Sequence, residues 1–177
     1  MESLRSLVKE NGPGSTKYLI DHLHCFYGGT VVGLQSRDRF QAIRELLASA
    51  PCTATRSDLK TIEDAVVERE KILSTALGRG VAVAHGNTKT LDQIIILLGI
   101  SHTGIDFQAW DGMPVHQLFL IAHPPDRQEA YLLALAALAR LIRNRPFLAS
   151  IAQESDAGTI ERRLSREFRR DLVQRFN

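Results

Sequence analysis

The sequence predicts an α/β domain in which helices pack on a β-sheet, and two features of the chain carry this prediction. Short apolar segments bounded by glycine or turn residues recur along it, and amphipathic helical segments alternate with them. This alternation is typical of a layered domain with at least some parallel strand pairing. The length of 177 residues suits one core with appendages.

The N-terminal segment, residues 1–29, is predicted to be an appendage to this core. It contains the breaker cluster Asn11–Ser15 and one short amphipathic segment over residues 18–26, which we expect to be a short helix. A β-branched strand is predicted over residues 30–34. The main domain is predicted to run from residue 30 to residue 177.

Two helices and a buried strand are predicted next. The first helix is capped by Ser36 and ends before Pro51, and the second spans about residues 57–71. Four small apolar residues, 81–84, follow two glycines and suit a buried strand. This strand ends at His85.

The second half of the chain continues the alternation. Residues 93–100 form a nearly continuous apolar run, which predicts a strand covered on both faces, and residues 115–122 predict another strand. A helix that is apolar almost all round follows through Asn144, with Pro146 marking its approximate end. The last helix, over residues 159–176, has an arginine-rich exposed face, which indicates a packing helix more than a nucleic-acid contact.

Composition excludes several classes of function. The 22 Lys and Arg against 20 Asp and Glu leave a net charge of +2, too balanced for nucleic-acid binding through bulk charge. Cys25 and Cys52 form no CxxC pair, so we expect two reduced thiols and no structural metal. The N-terminus carries no export signal, and the most apolar stretch, residues 131–142, is interrupted by Arg140. We therefore expect a cytoplasmic protein without a membrane span or a cofactor.

His85 is the first candidate for chemistry. Ligands and reactive groups of α/β folds lie beyond strand ends, where loops are held by a rigid scaffold. His85 ends a strand of small residues and precedes Gly86, which allows close approach of a partner. A histidine in this position is, taken alone, more often structural.

The residues before His85 resemble the active-site segment of IIA domains of the bacterial phosphoenolpyruvate-dependent sugar phosphotransferase system. The resemblance is to the fructose, mannitol and nitrogen-regulatory type. It rests on an Arg-Glu pair, a Ser-Thr pair, two spaced glycines and an apolar strand ending in His-Gly. In this chain these are Arg69-Glu70, Ser74-Thr75, Gly78, Gly80 and His85-Gly86. The likeness covers about residues 30–150.

This resemblance implies an α/β/α sandwich, with a mixed β-sheet flanked by helices on both faces. It implies that His85 accepts a phosphoryl group from the phosphorylated carrier protein HPr. Arg69 would stabilise the phosphate, since a guanidinium presents fixed donors to phosphate oxygens; the alternative is a solvated arginine paired with Glu68 or Glu70. Thr75, with Ser74, would donate a hydroxyl near His85, or would only cap or turn the chain.

Two positions depart from the family pattern. Ala84 stands where the family has proline before the active histidine. Tyr131 stands where many members have a second histidine, and its hydroxyl can donate a hydrogen bond to a phosphoryl oxygen without bringing a positive charge. His123, at the end of the preceding strand, either supplies an imidazole from another direction or is a loop residue before two prolines.

Three functions remain open on these grounds. The leading hypothesis is a regulatory IIA domain similar to the nitrogen-regulatory proteins, whose further partner would be a regulatory target. The second is the IIA component of a fructose- or mannitol-type permease, with a IIB component as its partner. The third is a binding module that keeps the fold but has lost phosphotransfer.

Overall fold

Five strands form one mixed β-sheet in the computed structural model, which describes residues 24–49 and 56–176. The strands are β1 (His24–Val32), β2 (Ala76–Gly78), β3 (Val81–Asn87), β4 (Ile95–Ile105) and β5 (Val115–His123). The helices are α1 (Arg39–Ser49), α2 (Arg56–Ile72), α3 (Gln128–Arg143), α4 (Arg145–Ala152) and α5 (Ala157–Phe176). A single 3-10 turn, Pro125–Arg127, precedes α3.

The strand order is β1-β4-β5-β3-β2, so β5 lies in the middle of the sheet. Parallel pairing joins β1 to β4 and β3 to β5, whereas β4 and β5 pair antiparallel. A tight turn at Arg79 and Gly80, both with positive φ, connects β2 to β3 as an antiparallel hairpin. The predicted parallel pairing and the mixed sheet are both confirmed.

Alternation along the strands divides the core into two layers. Successive side chains of a strand point to opposite faces, so Val81 and Val83 face one helical layer and Ala82 and Ala84 face the other. The first layer contains α3, α4 and α5, and the second contains α1 and α2. The α/β/α sandwich implied by the family resemblance is confirmed.

Two features of the helices differ from expectation, and both have local causes. Asp38, not Ser36, caps α1, because the helix begins one residue after it and its Oδ1 accepts from the amides of Phe40 and Gln41 at 3.0 Å. α3 does end near Pro146 as expected, at Arg143, but Pro146 also lies in the first turn of a further helix that the sequence did not predict, α4, which is capped by the Asn144 side chain. Proline suits the first turn of a helix as well as the region beyond its end, so the residue alone does not distinguish the two.

The structure places β1 earlier than the sequence indicated. β1 begins at His24, so its first residues lie inside the segment 1–29 that was predicted as an appendage, and residues 24–26 are in a strand and not in a helix. The rest of that predicted helix lies outside the described residues. Parallel pairing with β4 accounts for the difference, because tertiary contacts override a weak local helical pattern. β2 is a further strand that the pattern did not predict, since three residues are too few to show a period.

The arginine-rich helix α5 packs on the sheet through buried Ile160, Leu164 and Phe168. Some of its charged side chains form ion pairs: Asp171 forms a bidentate pair with Arg140 of α3, and Arg170 pairs with Glu167. These contacts support the packing role predicted for this helix. Among the described helices, none combines the length and the apolar character needed to cross a bilayer.

Gly86 lets α2 approach β3 directly. A Cβ at this position would lie 2.8 Å from the backbone nitrogen of Val66 and 2.9 Å from the carbonyl carbon of Ala65. Because these are backbone atoms, the helix would have to move. The close approach positions the C-terminal half of α2 beside the end of β3.

We predict that Gly86→Ala lowers the free energy of unfolding by about 1–3 kcal/mol, since overpacking displaces α2 from the sheet. Urea unfolding followed by circular dichroism measures this change. Gly158→Ala is the matched control, because its added Cβ would meet only side-chain ends, that of Arg162 at 3.3 Å and that of Asp156 at 3.7 Å. Equal stabilities of the two variants would contradict the prediction.

Candidate active site

The parallel pairing of β3 and β5 brings two histidines to one end of the sheet. His85 pairs with Ile121, and Asn87 pairs with His123. Paired residues of neighbouring strands point to the same face, so His85 and His123 both point to the face covered by α3. Tyr131, in the first turns of α3, packs into the same layer. Three rings therefore meet at this end of the sheet.

His85 is half-buried, and its protonation pattern follows from one contact. Its Nδ1 lies 3.0 Å from the carbonyl oxygen of Val83, two residues earlier in β3. A carbonyl oxygen only accepts hydrogen bonds, so Nδ1 carries the proton in this contact. In the neutral ring Nε2 then holds the free lone pair.

Tyr131 lies close to both histidines. Its ring centroid is 6.4 Å from that of His85 and 4.1 Å from that of His123, and the latter pair is stacked with an angle of 16° between planes. Burial raises the pKa of the Tyr131 hydroxyl, while the positive charge of Arg69 acts in the opposite direction. The hydroxyl therefore stays protonated near neutral pH and can donate a hydrogen bond.

His123 is a buried strand residue and not a loop residue, with 4% of its surface exposed. Burial lowers the pKa of His123, and the nearby His85 lowers it further, although the hydrogen bond to the Pro124 carbonyl opposes both. Its Nδ1 lies 2.9 Å from that carbonyl oxygen. His123 is thus a neutral ring that stacks against Tyr131.

Arg69 approaches the rings from the end of α2. One of its terminal nitrogens donates to the carbonyl of Leu73 at 3.0 Å, and its charge is felt at the Tyr131 hydroxyl. The two carboxylates beside it bond elsewhere: Glu68 pairs with Lys71, and Glu70 faces Arg39 at 3.8 Å. The pairing of Arg69 with Glu68 or Glu70, which the sequence left open, is not formed.

Thr75 and Ser74 use their hydroxyls in the connection between α2 and β2. The Thr75 hydroxyl donates to Glu70 at 2.5 Å, and the Thr75 amide donates to both carboxylate oxygens of Glu70 at 3.1 and 3.2 Å. The Ser74 hydroxyl donates to the carbonyl of Phe107 at 2.5 Å. The structure thus brings His85, Tyr131 and Arg69 together, whereas the Thr75 hydroxyl is engaged by Glu70.

Glu70 and His123 are the site residues that sequence reasoning undervalued. Glu70 has 0% exposure, whereas the sequence indicated it only as a member of the Arg-Glu pair and as an alternative partner for Arg69. For His123 a signal was present, since two predicted strands each ended in a histidine followed by a turn. Parallel neighbours carry such ends to the same edge of a sheet, which would have placed the two rings together.

We predict that burial of neutral His123 makes the fold sensitive to acid. Its pKa in the folded state lies below the ordinary value of 6.5, so the unfolded chain binds the proton first as the pH falls. Stability is therefore full above about pH 7 and decreases as the pH falls through about 6.5 toward the lower folded value. Urea unfolding between about pH 5 and pH 8 should show a shallower dependence for His123→Phe. Parallel curves for the two proteins would contradict the prediction.

Comparison with known proteins agrees with this geometry. Residues 29–167 match the family model described as phosphoenolpyruvate-dependent sugar phosphotransferase system, EIIA 2. A nitrogen regulatory protein of Bradyrhizobium diazoefficiens is 34% identical over 127 residues, which cover 72% of this chain and 82% of that protein.

Two solved structures share the fold. The nitrogen regulatory protein IIA-Ntr of Neisseria meningitidis matches with a TM-score of 0.68 at 21% identity, over 83% of this chain and 99% of that one. Escherichia coli enzyme IIAMTL, solved in complex with phosphorylated enzyme IIBMTL, matches with a TM-score of 0.58 at 15% identity, over 80% and 94% of the two chains. Since the family match extends from β1 into α5, the chain belongs to the EIIA 2 family of the phosphoenolpyruvate-dependent sugar phosphotransferase system.

Proposed function

We propose that this IIA domain accepts a phosphoryl group on Nε2 of His85 from the phosphorylated carrier protein HPr. The observation that carries the proposal is the contact between Nδ1 and the Val83 carbonyl, because it leaves the Nε2 lone pair as the nucleophile. His85 is only half-buried, so a phosphohistidine on another protein can approach it.

The transfer balances without a further reactant. The N–P bond of the donor phosphohistidine breaks, the donor imidazole takes the electron pair, and a new bond forms between phosphorus and Nε2 of His85. The proton on Nδ1 stays where it is, held by the Val83 carbonyl. Because the transferred group is loosely bonded in the transition state, the protein mainly supplies position and positive charge.

Arg69 and Tyr131 are suited to stabilise the transferred phosphoryl group. Arg69 has no bond to its neighbours Glu68 and Glu70, whose carboxylates are engaged by Lys71 and Arg39, so its charge is available for phosphate oxygens. Tyr131 offers a neutral hydroxyl donor in place of a second imidazole. The Thr75 hydroxyl is bound to Glu70, so in this proposal Thr75 contributes to the site only through its own backbone, which lies beside β3.

Exposed apolar side chains close to Arg69 and Tyr131 support a protein as the phosphoryl donor. Ile72 and Leu73 follow Arg69 along the chain and are 80% and 69% exposed. Leu132, next to Tyr131, is also largely exposed. Apolar residues gathered at a reactive group are typical of a docking surface.

We propose a regulatory role for the domain in the cytoplasm. The similarity to proteins named nitrogen regulatory protein supports regulation over service to one sugar permease. A phosphoryl group adds nearly two negative charges at the site, which changes the partner that this surface can bind. A IIB-type protein is a second partner, by analogy with the E. coli mannitol complex.

The second candidate function is a binding module that no longer transfers phosphoryl groups. Tyr131 favours it, because a tyrosine stacked on His123 provides no positive charge at neutral pH. The two functions differ in whether His85 acquires a phosphoryl group.

We expect the protein to acquire an acid-labile phosphoryl group when it is incubated with phosphoenolpyruvate, enzyme I and HPr. His85→Ala should acquire none, because the nucleophile is lost. His102→Ala is the matched control, since His102 is exposed on β4 and should leave labelling unchanged. Intact mass spectrometry measures the product. Absence of label on the unmutated protein would favour the binding module.

We expect Arg69→Ala to slow phosphoryl acceptance on the order of 100-fold, because it removes the positive charge from the transferred group. Arg69→Lys should recover part of the rate, since it restores the charge without the planar donors. Rapid-quench measurement of label at fixed HPr concentration gives both rates. An unchanged rate in folded Arg69→Ala would remove this residue from the site.

A further inference from the structure

Glu70 is a fully buried carboxylate that the transfer step does not use. Its side chain is 0% exposed, and Arg39 lies 3.8 Å from it. Burying an ion pair costs desolvation energy that the attraction between the charges only partly offsets. Stability alone therefore does not explain a buried carboxylate at this position. The hydrogen bonds of Glu70 indicate a further role.

The bonds of Glu70 interrupt the ladder between β2 and β3. Ala76 pairs with Ala82 in this antiparallel hairpin, so the next residues outward, Thr75 and Val83, lie opposite each other. Opposed residues of this kind normally exchange two hydrogen bonds, each amide donating to the other carbonyl. Here only one of the two is formed, from the Val83 amide to the Thr75 carbonyl at 3.2 Å.

The other bond of this pair, from the Thr75 amide to the Val83 carbonyl, is replaced by two different hydrogen bonds. The Thr75 amide donates to Glu70 instead of to the Val83 carbonyl. The Val83 carbonyl in turn accepts from Nδ1 of His85 at 3.0 Å. Glu70 thus takes the donor that would compete with the imidazole, and His85 takes the acceptor that is left.

We propose that Glu70 is a positioning residue that sets the tautomer of His85. By holding the Thr75 amide it frees the Val83 carbonyl, which keeps the proton on Nδ1 and the lone pair on Nε2. The role in phosphoryl transfer rests on the proposed function. The effect of Glu70 on the His85 tautomer does not rest on that function, and it can be measured without a phosphoryl donor.

The test is the ¹⁵N chemical shifts of the two ring nitrogens of His85, recorded at about pH 8, where an ordinary imidazole is neutral. The unmutated protein should show a protonated Nδ1 and an unprotonated Nε2. In Glu70→Ala the Thr75 amide is released to pair with Val83, so the ratio of the tautomers should shift toward the Nε2–H form on the order of fivefold to tenfold. Phosphoryl acceptance from HPr should slow by a similar factor.

Three further variants separate this role from a structural one. Glu68→Ala removes an exposed carboxylate from the same helix, and Thr75→Ala removes the hydroxyl while leaving the amide on Glu70; both should keep the original ring shifts. If Glu70→Ala does not fold, Glu70→Gln replaces it, since one amide oxygen holds the Thr75 amide less firmly and should shift the ratio in the same direction.

The outcomes distinguish the two proposals. Original ring shifts in a folded Glu70 variant, or an Nε2–H tautomer in the unmutated protein, would overturn the role of Glu70. The tautomer change without any phosphoryl acceptance by the unmutated protein would contradict the proposed function alone. A tautomer shift and slower phosphoryl acceptance in the Glu70 variant, with unchanged ring shifts in Glu68→Ala and Thr75→Ala, would support the proposal.

Discussion

Parallel pairing between β3 and β5 is the constraint on which the site depends. It aligns two strand ends from separate parts of the chain and directs His85 and His123 to the same face of the sheet. α3 then brings the ring of Tyr131 beside both, with its centroid 6.4 Å from that of His85 and 4.1 Å from that of His123. A shift of one residue in this register would send either histidine to the opposite face, because side chains alternate along a strand.

The second level of organisation is the buried polar cluster behind the strand. In this cluster Glu70 of α2 binds Thr75, which precedes β2, and faces Arg39. The Val83 carbonyl of β3 is then paired with the His85 side chain of the same strand. The close contact at Gly86 holds α2 against the strand. Arg69 therefore lies on a helix that is held by backbone packing against β3 and by the bonds of the buried Glu70.

Much of the fold follows from patterns in the sequence, and the site follows only in part. Apolar runs and glycines located β3, β4 and β5, and the Arg-Glu and Ala-His-Gly segments led to His85 and Arg69. β2 and the exact cap of α1 were missed, since short elements are decided by single hydrogen bonds. The partners of Glu70 and of His123 depend on strand register and on which amide reaches which carbonyl, and no linear pattern contains that information.

β2 is only three residues long, and it covers the beginning of β3 but not its end. A sheet edge with free carbonyls is a template for a strand from another molecule, and proteins protect such edges in several ways. In this domain the imidazole of His85 occupies the Val83 carbonyl at that edge. The hydrogen bond that orients the reactive ring therefore also removes one free acceptor from this edge of the sheet.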